Sequence, residues 1–291
     1  MRKILITGIN SYIGTSFEKW VNKWPDKYKV ESIDVRTDSW RELSFKGYDV
    51  ILHVAAIVHV KEKNISEYYK VNRDLAFDIA KKAKCEGVKQ FIFLSTMGVY
   101  GVETGYITKN TEPKPITPYA KSKYEAEKLL NELDNECFKV AILRPPIVYG
   151  ENCKGNYPKL ASLAKKLPVF PDLKNQRSMI YIDNLSEFIR LLIDYEIKGL
   201  FFPQNKDYVS VTELVTYIAK IHGKEIKTTK LFNLAINLGF YFSKTLKKIF
   251  GSFVYDKEMP GGPGTNINGI EFIYETCSFE ESVYRTEYIM E

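Results

Sequence analysis

The sequence predicts an α/β fold organised around a parallel, doubly wound sheet. Short apolar runs recur along the first half of the chain, at residues 3–7, 29–33, 48–57, 91–95 and 139–143. Continuous apolar runs of this kind are typical of strands that are buried on both faces. Helical patterns separate them, and such an alternation of strands and helices indicates right-handed crossovers between parallel strands.

The composition describes an ordinary globular chain and argues against several functional classes. Its 291 residues suffice for one large domain, or for one domain with a smaller one attached. The formal net charge of +6 comes from dispersed lysines, without the basic stripe and interleaved aromatics of a nucleic-acid binder. The four cysteines and three histidines are too scattered for a metal site or a disulfide framework. We therefore expect no nucleic-acid partner and no metal.

The chain shows no sign of a targeting segment, so we expect a cytoplasmic protein. Met1 leads directly into the first apolar run, which leaves no room for a signal peptide. No apolar run reaches the eighteen or so residues that a membrane-spanning helix needs.

A glycine-rich turn follows the first predicted strand and opens a helix predicted over residues 15–24. Strand, glycine turn and helix in this order are the context of a dinucleotide-binding fingerprint. The glycines allow a tight turn close to a pyrophosphate, and the helix N-terminus offers free N–H groups to that anion. Ser11 stands where the middle glycine usually lies, and its hydroxyl could donate to a phosphate. A structural turn without a ligand would produce the same pattern.

Asp34 lies at the end of the second predicted strand, twenty residues after Gly14. An acidic residue at this spacing binds the adenosine ribose hydroxyls and favours NAD over NADP. Arg36 has the opposite preference, because its guanidinium could cover the adenine or accept a 2′-phosphate. Ala55 and Ala56, after the third predicted strand, are small enough for the backbone to pass close to a cofactor.

The stretch from residue 91 to residue 123 carries the candidate catalytic groups. A predicted strand ends at Ser95 and Thr96, and Tyr119 and Lys123 stand four residues apart in the following helix. This spacing puts both side chains on one helical face, where the lysine charge should lower the tyrosine pKa. With the Thr96 hydroxyl on the same substrate oxygen, these groups predict proton abstraction from an alcohol while a hydride leaves. Taken alone, the tyrosine–lysine spacing is more typical of an amphipathic surface.

The sequence pattern changes after Gly150. Arg177 precedes an apolar strand, where its planar fork would suit a diphosphate or would simply face solvent. A helix is predicted over residues 211–222. Residues 231–255 are apolar and dotted with lysines, so they should pack on the domain or lie on a membrane surface, and we expect packing.

These segments together resemble the extended short-chain dehydrogenases/reductases, within the NAD-dependent epimerase/dehydratase family that acts on nucleotide sugars. The resemblance runs nearly from end to end and rests on motifs in family order: TGINSYIG, HVAAIVH, VNRDLAFDIAKKAK, FLSTMGVYG, YAKSK, LRPPIVYG and QRSMIYIDNL. It implies a Rossmann-type doubly wound sheet with a smaller C-terminal substrate-binding domain. It assigns residues 1–150 and 177–199 to the NAD(P)-binding domain, and residues 151–176 and 200–291 to the substrate-binding domain.

The resemblance also implies roles for individual positions. Thr96, Tyr119 and Lys123 match the catalytic residues. The positions implied to bind the cofactor, NAD with NADP as the alternative, are Gly8, Asn10, Ser11, Tyr12, Ile13, Gly14, Asp34, Arg36, Ala55, Ala56, Ile57, Ser95, Tyr119, Lys123, Pro146 and Val148. The positions implied to bind the substrate are Thr96, Met97, Tyr119, Asn156 and Arg177.

The residues after Thr96 bear on the type of reaction. Dehydratases of the family carry an acidic residue there for β-elimination, whereas this chain has Met97 and Gly98. That leaves 4-epimerases, which regenerate their NAD, and 4-keto reductases, which usually consume NADPH. Because Asp34 favours NAD, the resemblance implies a UDP-hexose 4-epimerase, similar to UDP-glucose 4-epimerases, in surface polysaccharide precursor synthesis. The alternatives are a nucleotide-4-keto-sugar reductase and, in another class, a non-catalytic dinucleotide-sensing regulator.

The resemblance implies two partners. One is the nucleotide-sugar substrate. The other is a second copy of the chain, because many relatives pair through two helices that residues 76–84 and 125–133 could supply here.

Overall fold

The structure is a computed structural model that describes residues 1–58 and 64–288. Strands and helices alternate through the first half of the chain. The strands are β1 (Arg2–Thr7), β2 (Tyr28–Ile33), β3 (Val50–His53), β4 (Gln90–Leu94), β5 (Gly105–Ile107), β6 (Lys139–Leu143), β7 (Ile147–Tyr149), β8 (Val169–Pro171), β9 (Met179–Tyr181), β10 (Gly199–Phe201), β11 (Lys227–Thr229), β12 (Phe253–Tyr255), β13 (Asn266–Ile267) and β14 (Ile270–Glu271). The helices are α1 (Tyr12–Val21), α2 (Ile65–Tyr69), α3 (Ala76–Cys85), α4 (Pro118–Asn131), α5 (Tyr157–Lys166), α6 (Ile182–Asp194), α7 (Val211–Ile221), α8 (Asn233–Phe242), α9 (Lys244–Phe250) and α10 (Phe279–Glu287).

Six strands form one parallel sheet in the order β10-β6-β4-β3-β1-β2. Every neighbouring pair in this sheet is parallel. β1 lies between β2 and β3, so the direction in which the chain winds across the sheet reverses beside β1. Such a reversal opens a crevice at the carboxyl ends of the strands, where α/β proteins bind ligands. The predicted doubly wound parallel sheet is confirmed.

One face of this sheet packs against α3 and α4. Leu5, Phe91 and Phe93 on the strands belong to the same buried cluster as Ala80 of α3 and Ala126 of α4. Phe91 and Phe93 are two residues apart, so they project from the same face of β4. Each fully buried phenylalanine contributes roughly 1.5–3 kcal/mol through removal of its surface from water. This cluster holds α4, which carries Tyr119 and Lys123, against the centre of the sheet.

The described chain divides into two compact units. Unit 1 comprises Met1–Gly101, Glu112–Pro145 and Leu185–Pro203, and unit 2 comprises Val102–Thr111, Pro146–Asn184 and Gln204–Glu291. Unit 1 contains the six-stranded sheet. Unit 2 contains two strand pairs that the sequence pattern did not indicate, β5 with β12 and β7 with β9. Because of these pairs, residues 102–111 and 177–184 group with unit 2, whereas the sequence assigned both segments to the first domain.

Residues 231–255 form a helical hairpin followed by a strand. α8 ends at Phe242, and the Ser243 hydroxyl caps α9 by accepting a hydrogen bond from Leu246 N at 3.3 Å. Gly239 allows the two helices to approach, because a Cβ there would lie 2.5 Å from Leu246 Cδ1. In the part of the chain that the structure describes, no side chain of α8 is buried. The expectation that this segment packs on the domain is therefore wrong for α8.

Among residues 1–58 and 64–288, every helix is too short or too polar to cross a bilayer. The same residues bring no three His, Cys, Asp or Glu side chains together in a way that would hold a metal ion.

Candidate active site

The carboxyl ends of neighbouring strands bring together most of the site residues that the sequence predicts in unit 1. Thr7 at the end of β1 is in register with Ile33 of β2 and with His53 of β3, and His53 is in register with Phe93 of β4. The predicted residues just after these strand ends are Gly8, Asp34, Ala55 and Ser95. They lie at the edge where the winding of the sheet reverses, which is the expected place for a ligand.

The turn after β1 requires glycine at its first position. Gly8 has a φ of +121°, and a Cβ at this position would lie 2.9 Å from Ala55 N. Gly8 N and Ile9 N both donate to Ile33 O, at 3.1 Å each, so the turn is tied to the end of β2. Asn10 also has a positive φ, of 59°. The backbone therefore turns tightly between the ends of β2 and β3, as a pyrophosphate-binding turn must.

Ser11 shows that this turn fits a phosphate. It is the N-cap residue of α1, and no hydrogen bond from its side chain caps the helix. Its Oγ is buried and has no partner among the described residues. The first turn of α1 contains no acidic residue that would repel an anion. A buried hydroxyl without a partner, beside the free N–H groups of a helix N-terminus, provides donors for a phosphate oxygen.

Asp34 and Arg36 form an exposed ion pair just after β2. Arg36 Nη2 lies 2.5 Å from Asp34 Oδ2, and Arg36 Nε lies 3.0 Å from both carboxylate oxygens. Hydrogen bonds from Arg36 lower the pKa of Asp34 to about 2, so the carboxylate is ionised at neutral pH. An ionised carboxylate accepts hydrogen bonds from ribose hydroxyls and repels a 2′-phosphate. The ionised carboxylate therefore favours NAD over NADP. The Arg36 guanidinium is held in its ion pair with Asp34.

Asn72 braces the loop after β3. A π-helical turn at Lys70–Leu75 separates α2 from α3 and contains Asn72. Asn72 Oδ1 accepts from Ile57 N at 2.8 Å, and Asn72 Nδ2 donates to Ile57 O at 3.0 Å and to Ser122 Oγ at 3.2 Å. Asn72 thus links the predicted cofactor loop, which includes Ala55 and Ala56, to α4.

Tyr119 and Thr96 meet at the carboxyl end of β4. α4 begins with Pro118, and Thr117 caps it by accepting from Ala120 N at 3.2 Å. Burial raises the pKa of Tyr119 to about 12, while a hydrogen bond with Thr96 acts in the opposite direction. The lowered tyrosine pKa expected from the sequence is therefore not found. Burial decides the pKa of Tyr119, and the lysine effect expected from the sequence is not found.

Lys123 is enclosed by the sheet. It is 1% exposed, its Nζ donates to Leu94 O at 2.8 Å, and the same atom lies 4.5 Å from the centre of the Phe93 ring. Burial lowers the pKa of Lys123 to about 7, although the Glu127 carboxylate raises it. The pKa of His53 is lowered to about 3, mainly by burial and to a smaller extent by the charge of Lys123. This imidazole is therefore neutral.

The structure reveals a buried ion pair that the sequence pattern did not indicate. Arg144, just after β6, lies 2.6 Å from Glu127 of α4, and these residues are 4% and 3% exposed. Arg144 Nη1 also donates to Tyr100 OH at 3.0 Å, and Ser95 Oγ donates to Glu127. Removing one partner of such a pair typically costs about 3–5 kcal/mol, since it leaves an unpaired buried charge. Ser95, whose contact with the cofactor stays a prediction, is also part of the network that holds α4.

The structure also places three further residues that the sequence predicts to bind substrate or cofactor, Met97, Pro146 and Val148. Met97 is 6% exposed, and its N–H donates to Pro145 O at 3.0 Å. Pro146 and Val148 belong to unit 2, where Val148 is in register with Ile180 in the β7–β9 pair.

Asn156 and Arg177, both predicted to bind substrate, line one cavity in unit 2. Arg177 is 6% exposed, and its Nη2 donates to Lys247 O at 3.1 Å and to Lys248 O, at the end of α9. Burial lowers the pKa of Arg177 to about 10. Its Nε is buried without a partner among the described residues, so one donor is free for a ligand.

Comparisons with known proteins decide the family. The profile of the NAD dependent epimerase/dehydratase family matches residues 4–200. A curated UDP-glucose 4-epimerase of Vibrio cholerae is 32% identical over 249 residues, which cover 75% of each chain. The chain belongs to the NAD-dependent epimerase/dehydratase family. It is an enzyme of that family, with NAD as its cofactor, as the resemblance implied.

Two further similarities extend the comparison. The N-acetyl-alpha-D-glucosaminyl-diphospho-ditrans,octacis-undecaprenol 4-epimerase of Escherichia coli O157:H7 is 29% identical over 225 residues, covering 75% of this chain and 68% of that protein. A solved structure of MoeE5 in complex with UDP-glucose and NAD superposes with a TM-score of 0.72 at 18% identity, covering 98% of this chain and 97% of the other. At that identity the structural similarity shows the fold.

We predict that Gly8→Ala lowers the affinity for NAD at least about tenfold, because the new Cβ would displace Ala55. Gly47→Ala is the matched control: Gly47 also has a positive φ, of +85°, but its Cβ would meet no described atom within 4 Å. Both variants should lose roughly 1 kcal/mol of stability from the backbone conformation. Isothermal titration with NAD would contradict the assignment of this turn if Gly8→Ala bound normally, or if Gly47→Ala lost binding equally.

We also predict a pH-dependent penalty from Lys123. Its pKa is about 7 in the folded protein and about 10.4 when unfolded, so the unfolded chain binds the extra proton between these values. The free energy of unfolding of the wild type, relative to Lys123→Met, should therefore rise by roughly 2 kcal/mol from about pH 7 to about pH 9. Urea unfolding of nucleotide-stripped protein measures it. Lys121→Met, at an exposed position of the same helix, should show no such rise; a flat difference for Lys123→Met would contradict the prediction.

Proposed function

We propose that this chain is a 4-epimerase of a hexose joined to a diphosphate, with a UDP-hexose as the first candidate substrate. The observation that carries the proposal is the position of Tyr119 on α4, one helical turn before Lys123, whose buried Nζ donates to Leu94 O at the end of β4 at 2.8 Å. The names of two curated relatives, both sugar 4-epimerases, support the reaction. Its product would serve surface polysaccharide precursor synthesis.

Tyr119 is the proposed acid and base. It would take the proton from O4 of the sugar and return it after the flat 4-keto sugar has turned over, with the Thr96 hydroxyl donating to the same oxygen. Bound NAD supplies the removal and return of hydride at C4. Because burial holds the pKa of Tyr119 at about 12, a cation must lower it during the reaction. Lys123, on the same face of α4, is the proposed source of that charge.

The remaining predicted residues of unit 1 would hold the cofactor. The Gly8 turn, the Ser11 hydroxyl and the start of α1, with Tyr12, Ile13 and Gly14, would bind the pyrophosphate. Asp34 would accept from the adenosine ribose, with Arg36 beside it. Ala55, Ala56 and Ile57 would border the nicotinamide half of the cofactor.

The alternatives have less support. A dehydratase needs an acid after Thr96, and Met97 there is apolar and buried. A keto reductase that consumes NADPH would have to place a 2′-phosphate near the ionised Asp34, which repels it. A regulator without catalysis would not require Thr96, Tyr119 and Lys123 together, and the chain belongs to a family of enzymes.

The carrier of the sugar has two candidates. UDP is the carrier named for the relative from Vibrio cholerae, and a polyprenyl diphosphate is the carrier named for that from Escherichia coli. Both carriers present a diphosphate, which Arg177 with Asn156 would bind. The exposed apolar helix α8 is the observation that favours the lipid-linked candidate. Four points stay predictions: the substrate contacts in unit 2, the contacts of Pro146 and Val148 with the cofactor, the homodimer, and the cytoplasmic location.

We predict that Tyr119→Phe lowers kcat for the interconversion of UDP-glucose and UDP-galactose by roughly 100-fold or more, the usual contribution of a general acid–base. NAD affinity should change little, since the aromatic ring remains. Tyr124→Phe, five residues later on α4, is the matched control and should retain activity. Product sugars can be quantified by NMR, with the lipid-linked sugar as the second substrate tested.

A C4-deuterated sugar separates the epimerase from the reductase. Epimerisation should return the label to C4 of the product, without net consumption of cofactor. Label that leaves with the cofactor would support the reductase. Full activity of Tyr119→Phe on both substrates would contradict the assigned role of this tyrosine.

A further inference from the structure

The hairpin formed by α8 and α9 presents a large apolar surface to water. Leu234 is 73% exposed, Leu238 54%, Tyr241 82% and Phe242 90%, and Leu231 just before α8 is 86% exposed. A helix that is apolar and has no buried side chain within the described chain does not serve the core of unit 2. Contiguous exposed apolar residues of this kind mark a docking surface.

The segment that carries this apolar surface has charged side chains of one sign. Residues 226–255 contain five lysines, at positions 227, 230, 244, 247 and 248, and no aspartate or glutamate. Lys227, Lys230 and Lys248 are exposed. The whole chain carries 36 acidic residues among 291, so a thirty-residue stretch without any is a clear local bias. The hairpin therefore combines exposed apolar and aromatic side chains with cations.

The hairpin is anchored on its inner side. Arg177 donates to the carbonyls of Lys247 and Lys248 at the end of α9, and Phe250 packs against Phe170, with ring centres 6.0 Å apart. At the start of α8, Asn233 Nδ2 donates to Asp172 O at 2.8 Å. These contacts fix both ends of the hairpin to unit 2, so the exposed side chains of α8 are presented on a supported element.

We propose that the α8–α9 hairpin docks on the surface of an anionic lipid bilayer. Leucines and aromatics on α8 would enter the boundary between headgroups and acyl chains, while the lysines meet anionic headgroups. α8 has ten residues, about half of what a bilayer crossing needs, so it would lie on the membrane.

The charge pattern argues against a second copy of the chain as the occupant. A two-fold interface brings the same surface of both copies together, so the lysines of one hairpin would face those of the other without an acidic partner. An anionic bilayer provides the complementary charge.

Docking would also bring the membrane close to the predicted substrate contacts. Lys248 and Ile249 of α9 line the same cavity as Asn156 and Arg177. This step rests on the proposed function: a sugar diphosphate carried on a polyprenyl chain would reach this cavity from the bilayer beside the hairpin. Docking itself requires no catalysis, so its failure and the failure of the proposed function are separate results.

Vesicle co-sedimentation of the full chain tests the docking. Wild-type protein should partition onto vesicles of phosphatidylcholine with phosphatidylglycerol, and much less onto phosphatidylcholine alone. The double variant Leu234→Glu with Phe242→Glu should lose at least about tenfold in partitioning, because both side chains would carry a charge into the membrane. Ile273→Glu, at an exposed apolar position (68%) outside the hairpin, is the matched control and should bind as the wild type does. Lys230→Gln with Lys248→Gln should reduce binding to anionic vesicles roughly tenfold.

Three outcomes would overturn the proposal. In the first, the wild type fails to bind anionic vesicles. In the second, the wild type, the double glutamate variant and Ile273→Glu all bind the vesicles equally well. Light scattering could also show a wild-type dimer that Leu234→Glu with Phe242→Glu converts to a monomer, without vesicle binding. That last result would assign the hairpin to contact between copies of the chain.

Discussion

The site in unit 1 depends on the burial of a single lysine. Lys123 lies at the carboxyl end of β4 with its ammonium against Leu94 O, and only 1% of its surface meets water. A charge in such a place is costly, and its pKa falls to about 7 for that reason. Glu127, one turn further along α4, opposes this shift but shares its carboxylate with Arg144. The lysine is therefore poised to be either charged or neutral at physiological pH.

Burial also makes the proposed proton transfer at Tyr119 more difficult. Burial raises the pKa of Tyr119 and lowers that of Lys123, so both shifts disfavour the phenolate–ammonium pair that would remove a proton. Exclusion of water strengthens every electrostatic interaction that remains. A phenolate formed at Tyr119 would therefore stabilise the charged form of Lys123, and the converse holds equally.

Much of this arrangement could be predicted from the sequence, because it follows from local patterns. The apolar runs located five of the six strands of the sheet in unit 1, all except β10, and the position of Asp34 after β2 followed from spacing. The link between Glu127 and Arg144 could not be predicted, since 17 residues separate them and only the packing of α4 on the sheet brings them together. Ser95 illustrates the same limit: a side chain at a strand end can point to cofactor or to core, and sequence does not tell which. Residues 231–255 were expected to pack on the domain, yet no side chain of α8 is buried in the described chain.

The most direct test of catalysis with a retained cofactor is to denature the purified protein and identify the released nucleotides by mass and absorbance. An epimerase regenerates its cofactor in each turnover, so NAD should remain bound through purification and be released in stoichiometric amount. Protein that releases neither NAD nor NADP, and that binds neither when they are added, would contradict the central claim that the turn after β1 holds a dinucleotide for catalysis at Tyr119.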